Sequence, residues 1–428
     1  MSNRPEQPSA RPYRDGHRTS HWGVLVGSVL CVLALVVTAL YGWRIGWFAS
    51  MTGNDAAASS ATADAARNTP QQLARSATPK PDPSPAGKAH RMVNAMDMDT
   101  RIGQLVMAPL YAGNAPASLS SLIADRHVGS VLIIGKWTGG VASVRAADDQ
   151  LQGYAPGDNR LIISTDQEGG WVQHLTGPGF DRMPTAVDQG TMSTNQLRQS
   201  ASVWGSQLAA AGINVDLAPV LGTVVVNRAA NAPIGALYRD FGLDAAGNAA
   251  HGTAFVQGMA NAGVQSAIKH YPGLGAVTGN TDFTTDGILD TTTTLDGTEI
   301  KAFDTTIDQA NPAMVMMALA TYQAIDPNNP AVFSSIIIDG HLRGDLGYDG
   351  VVISDSMSAA AVSAYDTTQL GVKLVEAGGD LVCIGDTNYV VPILDGLSTR
   401  AASDPAFANK VTQSAIRVMT LKIKMGLA

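Results

Sequence analysis

Three short apolar runs in this chain each end in charge. One ends Thr165-Asp166-Gln167-Glu168-Gly169-Gly170, a second Lys269-His270-Tyr271-Pro272-Gly273 and a third Ser354-Asp355-Ser356. Carboxylates beside a Lys/His pair can accept from and donate to the hydroxyls of a sugar ring. Glycosidic cleavage asks for one carboxylate at the anomeric carbon and a proton donor across the bond. Each cluster also has a simpler use. Asp355 could cap a following helix, Lys269 and His270 could form a structural pair, and Asp166 with Glu168 could hold the Gly169-Gly170 turn. All three at one place are harder to explain that way, because a buried polar cluster is unfavourable unless a ligand or partners satisfy it. Other chemistries lack their residues. No Gly-Lys-Ser/Thr follows a Gly-rich stretch, no Gly-x-Ser-x-Gly occurs, and the one His-x-x-x-His spacing, His17 with His21, lies in the N-terminal arm. No metal and no cofactor are expected.

The elements that must position these groups follow from the hydrophobic pattern. Apolar, β-branched runs occur at 103–107, 128–134, 161–165, 215–219, 266–270, 313–317, 351–354 and 381–384. Continuous rather than alternating hydrophobicity marks strands buried on both faces. Helical patterns lie between them, at 196–211, 245–262 and 358–377 among others, with Gly212, Gly263 and Gly378 past their ends. About eight β-then-α units predict a (β/α)8 TIM-type barrel over 89–428, with an open doubly wound sheet as the alternative. In a barrel the working residues sit where strands end.

Ahead of the barrel, residues 1–20 form a basic arm with Arg4, Arg11, Arg14 and Arg18. Residues 21–43 are almost uncharged and long enough to span a bilayer, with Trp22, Tyr41 and Trp43 near the ends. This predicts a single-pass signal anchor with the barrel outside the cytoplasm; a cleaved signal peptide is the competing reading. Residues 44–88, rich in Ala, Ser, Thr and Pro, read as a flexible linker. The formal net charge of −8 and the lack of a basic stripe in the body exclude a nucleic-acid partner as an expectation. The 2 cysteines, Cys31 in the apolar run and Cys383 in the last predicted strand, are not expected to pair.

From about Asp99 to the C-terminus the chain resembles glycoside hydrolase family 3, in particular its single-barrel β-N-acetylhexosaminidases. The resemblance rests on Asp166-Gln-Glu-Gly-Gly170, Leu217-Ala-Pro-Val220, Pro233-Ile-Gly235 with Arg239-Asp-Phe-Gly242, Lys269-His-Tyr-Pro-Gly273, and Leu346-Gly-Tyr-Asp-Gly-Val-Val-Ile-Ser-Asp355, in that order. It implies that Asp355 is the nucleophile of a retaining hydrolase. It also implies that Asp166, Arg239, Lys269 and His270 hold the terminal N-acetylhexosamine, with Met316 lining the pocket. Three departures stand out. His174 occupies the place where an Arg that binds the sugar is expected. Ser356 follows the nucleophile where a second Asp is usual. The Asp-Ser-His that carries the family's acid/base is replaced by Asn280-Thr281-Asp282.

Asp282 is therefore expected to be the acid/base, with Asp286 as the other choice. The loop 274–279 is expected to swing over the site. The expected activity is exo-acting removal of terminal β-linked N-acetylglucosamine from cell-wall-type glycans. The alternatives are a β-glucosidase-type exo-glycosidase and an inactive glycan-binding barrel.

Overall fold

The computed structural model describes residues 82–428. The predicted arm, the 21–43 anchor and nearly all of the predicted linker lie outside the described residues. Among the described residues, no helix is long and apolar enough to cross a membrane.

Eight parallel strands form the centre: β1 Val106–Tyr111, β2 Ser130–Ile134, β3 Ile162–Thr165, β4 Val215–Asp216, β5 Gln265–Tyr271, β6 Met314–Met317, β7 Val351–Ser354 and β8 Val382–Cys383. Their order around the sheet is β7-β6-β5-β4-β3-β2-β1-β8. A parallel bridge between Ile353 and Leu381, with the Ser354 N–H donating to the Leu381 carbonyl at 3.0 Å, joins the two ends into a ring. This is the (β/α)8 barrel the apolar runs predict, and the open sheet is excluded. The inward side chains pack as a filled core that includes Met107, Ile162, Val215, Ala267, Met316, Ile353 and Cys383.

Helices cover the outside. Thr194–Ala210 begins with a capping box in which Ser193 and Gln196 satisfy each other's backbone N–H groups. Ala245–Asn261 is capped by Asp244. The two helices meet through Trp204 and Phe255, ring centroids 6.5 Å apart. At the chain's end Pro405–Lys424 packs on Pro85–Ala95, whose Ala89 and Val93 are fully buried.

Three boundaries differ from the sequence expectation, each for a local reason. Helix Pro85–Ala95, capped by Ser84, takes the last residues read as linker into the folded domain. The first strand starts at Val106 rather than 103, because a helix capped by Asp97, Met98–Gln104, absorbs the run's first residues. The helix expected at 358–377 begins only at Thr367, where the Asp366 side chain accepts the Thr368 N–H. The residues before it have another use. The Ala360 and Ala361 N–H groups donate to the Asp282 and Thr281 carbonyls at 3.1 and 3.0 Å. Asp355 consequently caps no helix; its Oδ1 accepts the N–H of the next residue, Ser356, at 2.8 Å.

Candidate active site

The C-terminal ends of β3, β5 and β7 deliver their charged residues to one mouth. Lys269, 1% exposed in its side chain, sits at its centre, with its Nζ 2.5 Å from Asp166 Oδ1 and 2.6 Å from Glu168 Oε1. Arg239, from the loop after β4, grips Glu168 with two hydrogen bonds of 2.7 and 2.8 Å. His270 Nε2 lies 3.8 Å from Asp355 Oδ2, and His174 Nε2 lies 3.9 Å from Asp166 Oδ2. Lys269 and His270 are sequence neighbours, which in a regular strand would point to opposite faces. Here the ladder slips: Lys269 pairs with Met316 and Tyr271 with Met317, leaving His270 as an inserted residue. A bulge of this kind re-aims a side chain, so both Lys269 and His270 meet carboxylates of the mouth.

Burial and charge set the protonation states. Burial works against the Glu168 charge, but Arg239 and Lys269 overcome it and hold the carboxyl well below the usual carboxylate range. Burial likewise opposes the Lys269 charge, yet Asp166 and Glu168 raise its pKa above the ordinary lysine value. His270 is pushed well below the ordinary histidine value by burial, then by Arg239 and Lys269, so it stands neutral. Asp355 is pushed up to about 7, first by burial and second by the charge of Asp282; the Ser356 N–H, Lys269 and Arg239 oppose the shift. Asp282 lies on the rim, exposed, and is also raised, by partial desolvation ahead of the opposing pull of Arg239. It is the charge of Asp282 that reaches Asp355; Asp286 is exposed, and its N–H turns back onto the Thr284 hydroxyl at 2.9 Å.

In this structure the segment leading to Asp282 is fastened by hydrogen bonds and close packing. Asn231 donates to the Leu274 and Val277 carbonyls at 2.7 Å each, and both of those side chains are buried. The loop glycines are there for close approach: a Cβ on Gly275 would fall 1.7 Å from the Thr223 carbonyl oxygen, and one on Gly279 would fall 1.9 Å from that of Asp286. Asn280, at the family's Asp position, accepts the Asp282 N–H at 3.0 Å. Together with the hydrogen bonds from Ala360 and Ala361, this fastens the Asp282 loop to the segment that follows Asp355.

Of the residues singled out in the sequence, Asp166, His174, Arg239, Lys269, His270, Asp282 and Asp355 share this mouth. Met316 does not line it openly. It is 3% exposed and packs within the barrel core beside the strand of Lys269. The sequence reading left out two residues. Glu168, which the sequence places in a charged strand end without a role of its own, holds both cations; its two-residue spacing from Asp166 is the available signal. Asp216, fully buried at the end of β4, accepts the Gln167 N–H at 3.0 Å, and burial raises its pKa well above the usual range. No group of His, Cys, Asp and Glu among the described residues is arranged to hold a metal.

The chain is also similar to known proteins. Residues 97–421 match the family model described as "Glycosyl hydrolase family 3 N terminal domain". The chain is 31% identical to a beta-hexosaminidase of Alkalilimnicola ehrlichii, over 67% of this chain and 83% of that one. It is 30% identical to beta-hexosaminidase LpqI of Mycobacterium tuberculosis, over 72% and 78%. Among solved structures it is similar to a beta-N-acetylhexosaminidase from Beutenbergia cavernae, with 41% identity and a TM-score of 0.74, over 77% of this chain and 99% of that chain.

Proposed function

The chain belongs to glycosyl hydrolase family 3, and on that premise we propose that it is an exo-acting, retaining β-N-acetylhexosaminidase that removes terminal N-acetylglucosamine from glycans. The observation that carries this reading is the shared mouth. Asp355 lies against neutral His270, Lys269 joins Asp166 to Glu168, and Asp282 stands on the rim close enough for its charge to act on Asp355.

The terminal sugar enters with its hydroxyls toward Asp166, His174, Lys269, Arg239 and His270. Asp166 and the imidazoles accept or donate, and the cations donate only. An Asp355 oxygen attacks the anomeric carbon as the bond to the leaving oxygen breaks, and the Asp282 carboxyl gives that oxygen its proton. In the second step Asp282 takes a proton from water. The water oxygen bonds to the anomeric carbon and Asp355 is released with the configuration retained. This cycle needs one proton shared between two carboxyls. Both carboxyls have pKa values raised above the ordinary aspartate value, Asp355 to about 7, so the pair can hold one proton between them, and attack proceeds from the form in which that proton lies on Asp282.

The N-terminal pattern supports a location outside the cytoplasm, held to the membrane by residues 21–43, where cell-wall glycan is the accessible substrate. The lost Asp-Ser-His favours one rival, a barrel that binds glycan without cleaving it.

A 2-deoxy-2-fluoro or 5-fluoro glycoside that forms a slowly hydrolysed adduct tests both the class and the nucleophile. Mass mapping should find the label on Asp355. A label elsewhere would sink the assignment, and turnover that survives Asp355→Ala would sink the mechanism. Absence of turnover by the intact protein would leave the binding barrel standing.

A further inference from the structure

Exposed aromatic side chains are not scattered over this molecule. Four stand out among the described residues: Tyr111 at 42% exposure, Trp171 at 76%, Tyr238 at 48% and Phe283 at 82%. All four lie at the C-terminal end of the barrel. Tyr111 ends β1, Trp171 follows β3, Tyr238 follows β4 and Phe283 follows β5. The exposed aliphatic residues are divided: Val225 and Leu289 also follow β4 and β5, whereas Val203, Ile336 and Val391 lie on outer helices. Single exposed apolar residues are ordinary on protein surfaces, but a set gathered at one mouth marks a binding surface.

Two of the four are tied to the reacting groups. Trp171 caps the tip of the hairpin made by Gln167–Gly169 and Val172–Gln173, and this hairpin carries Glu168 and runs on to His174. Phe283 is next to Asp282, and its N–H donates to the Asn280 carbonyl at 3.0 Å, closing the turn that displays Asp282. An acid that protonates the glycosidic oxygen must stand beside the leaving group. The residue next to it is then on the leaving side, outside the charged pocket. Charged and hydroxyl-binding groups fill the pocket, whereas these aromatics have nothing of the protein covering them.

We infer that Trp171 and Phe283 form a platform for a second pyranose ring on the leaving-group side, so that the enzyme selects glycan chains over glycosides of small alcohols. A pyranose presents a face of C–H bonds that packs on an aromatic ring, while its edge hydroxyls remain in water. This inference rests on the hexosaminidase reading and adds to it the class of leaving group.

The test compares N,N′-diacetylchitobiose, which carries the second ring, with methyl N-acetyl-β-D-glucosaminide, which lacks it. Trp171→Ala and Phe283→Ala should each lower kcat/KM for the disaccharide about tenfold. Each should leave the methyl glycoside within about twofold, and Phe283→Tyr should restore the disaccharide rate. Equal losses on both substrates, or no loss on the disaccharide, overturn the inference.

Wild-type turnover is measured first. If neither substrate is cleaved, the hexosaminidase reading fails and the inference falls with it. If both are cleaved with unchanged preference in the variants, the inference alone fails. Binding gives a second readout independent of rate. Adding the disaccharide to Asp355→Ala should change the fluorescence difference between proteins with and without Trp171→Phe, and N-acetylglucosamine alone should not. The opposite pattern counts against the platform.

Discussion

Two lysines are buried at opposite ends of this barrel, and they carry opposite electrostatics. Lys269, at the C-terminal mouth, is ringed by Asp166 and Glu168, which hold it charged. Lys422 is fully buried at the other end, where its Nζ donates to the amide oxygens of Gln104 and Asn159 at 2.8 and 2.9 Å. Those residues precede β1 and β3. Amide oxygens satisfy its hydrogen bonds but bring no countercharge, so burial alone pushes its pKa down to about 7. Burial is equal at the two ends; the partners decide. The mouth collects charges of both signs. The far end closes a core with neutral partners.

The comparison breaks most visibly if a mouth charge proves dispensable. Asp282→Asn should lower kcat about 10²–10⁴-fold on a substrate with a poor leaving group, the usual range for a general acid, and much less on an activated aryl glycoside. Removing the Asp282 charge also removes the second cause of the raised Asp355 pKa. Asp355 then ionises at lower pH, and the acidic limb of the pH–rate profile should move toward acid. A limb that stays put, or moves toward neutral, would mean the two carboxyls do not act on each other.

Next in size is the pair of lysines itself. Lys269→Met should cut kcat/KM about 10–100-fold, the scale of hydrogen bonds to charged groups, and should also destabilise the fold by leaving Asp166 without its cation. Lys422→Met should leave kcat/KM within about twofold. Similar activity losses in the two variants would erase the distinction between the ends.

The smallest effect sharpens the far end. Between the folded pKa of about 7 and the unfolded value of 10.5, the unfolded chain holds a proton on Lys422 that the folded protein lacks. Stability from this group therefore rises with pH across that window, by up to about 1.4 kcal/mol per unit, and is least below pH 7. Thermal melts of wild type and Lys422→Met from pH 6.5 to 9.5 should differ in slope in that direction. Parallel curves would show that Lys422 stays charged when buried.

Much of this was legible from residue types. Runs such as 161–165 and 351–354 had to be buried strands because no polar face interrupts them, and the charge at their ends marks the mouth. Harder to read were segments whose hydrogen bonds go to distant partners. Residues 358–366 have helical composition, yet two of their N–H groups serve the Asp282 loop instead. The glycines of 274–279 suggested a hinge, but they are small because carbonyl groups press against them. Glu168 looked like a turn residue because its two cations come from positions 71 and 101 residues away.

The sequence by itself determined the barrel, the order of its strands' charged tips and the family to which they belong, because periodicity and local motifs are properties of neighbours along the chain. Only the tertiary structure decided which charges meet, that His270 is turned inward by a bulge, that the charge of Asp282 rather than Asp286 reaches Asp355, and that the pKa of Lys269 is raised while that of Lys422 is lowered. Those outcomes depend on distance and on exclusion of water, and both are set by residues far apart in the chain.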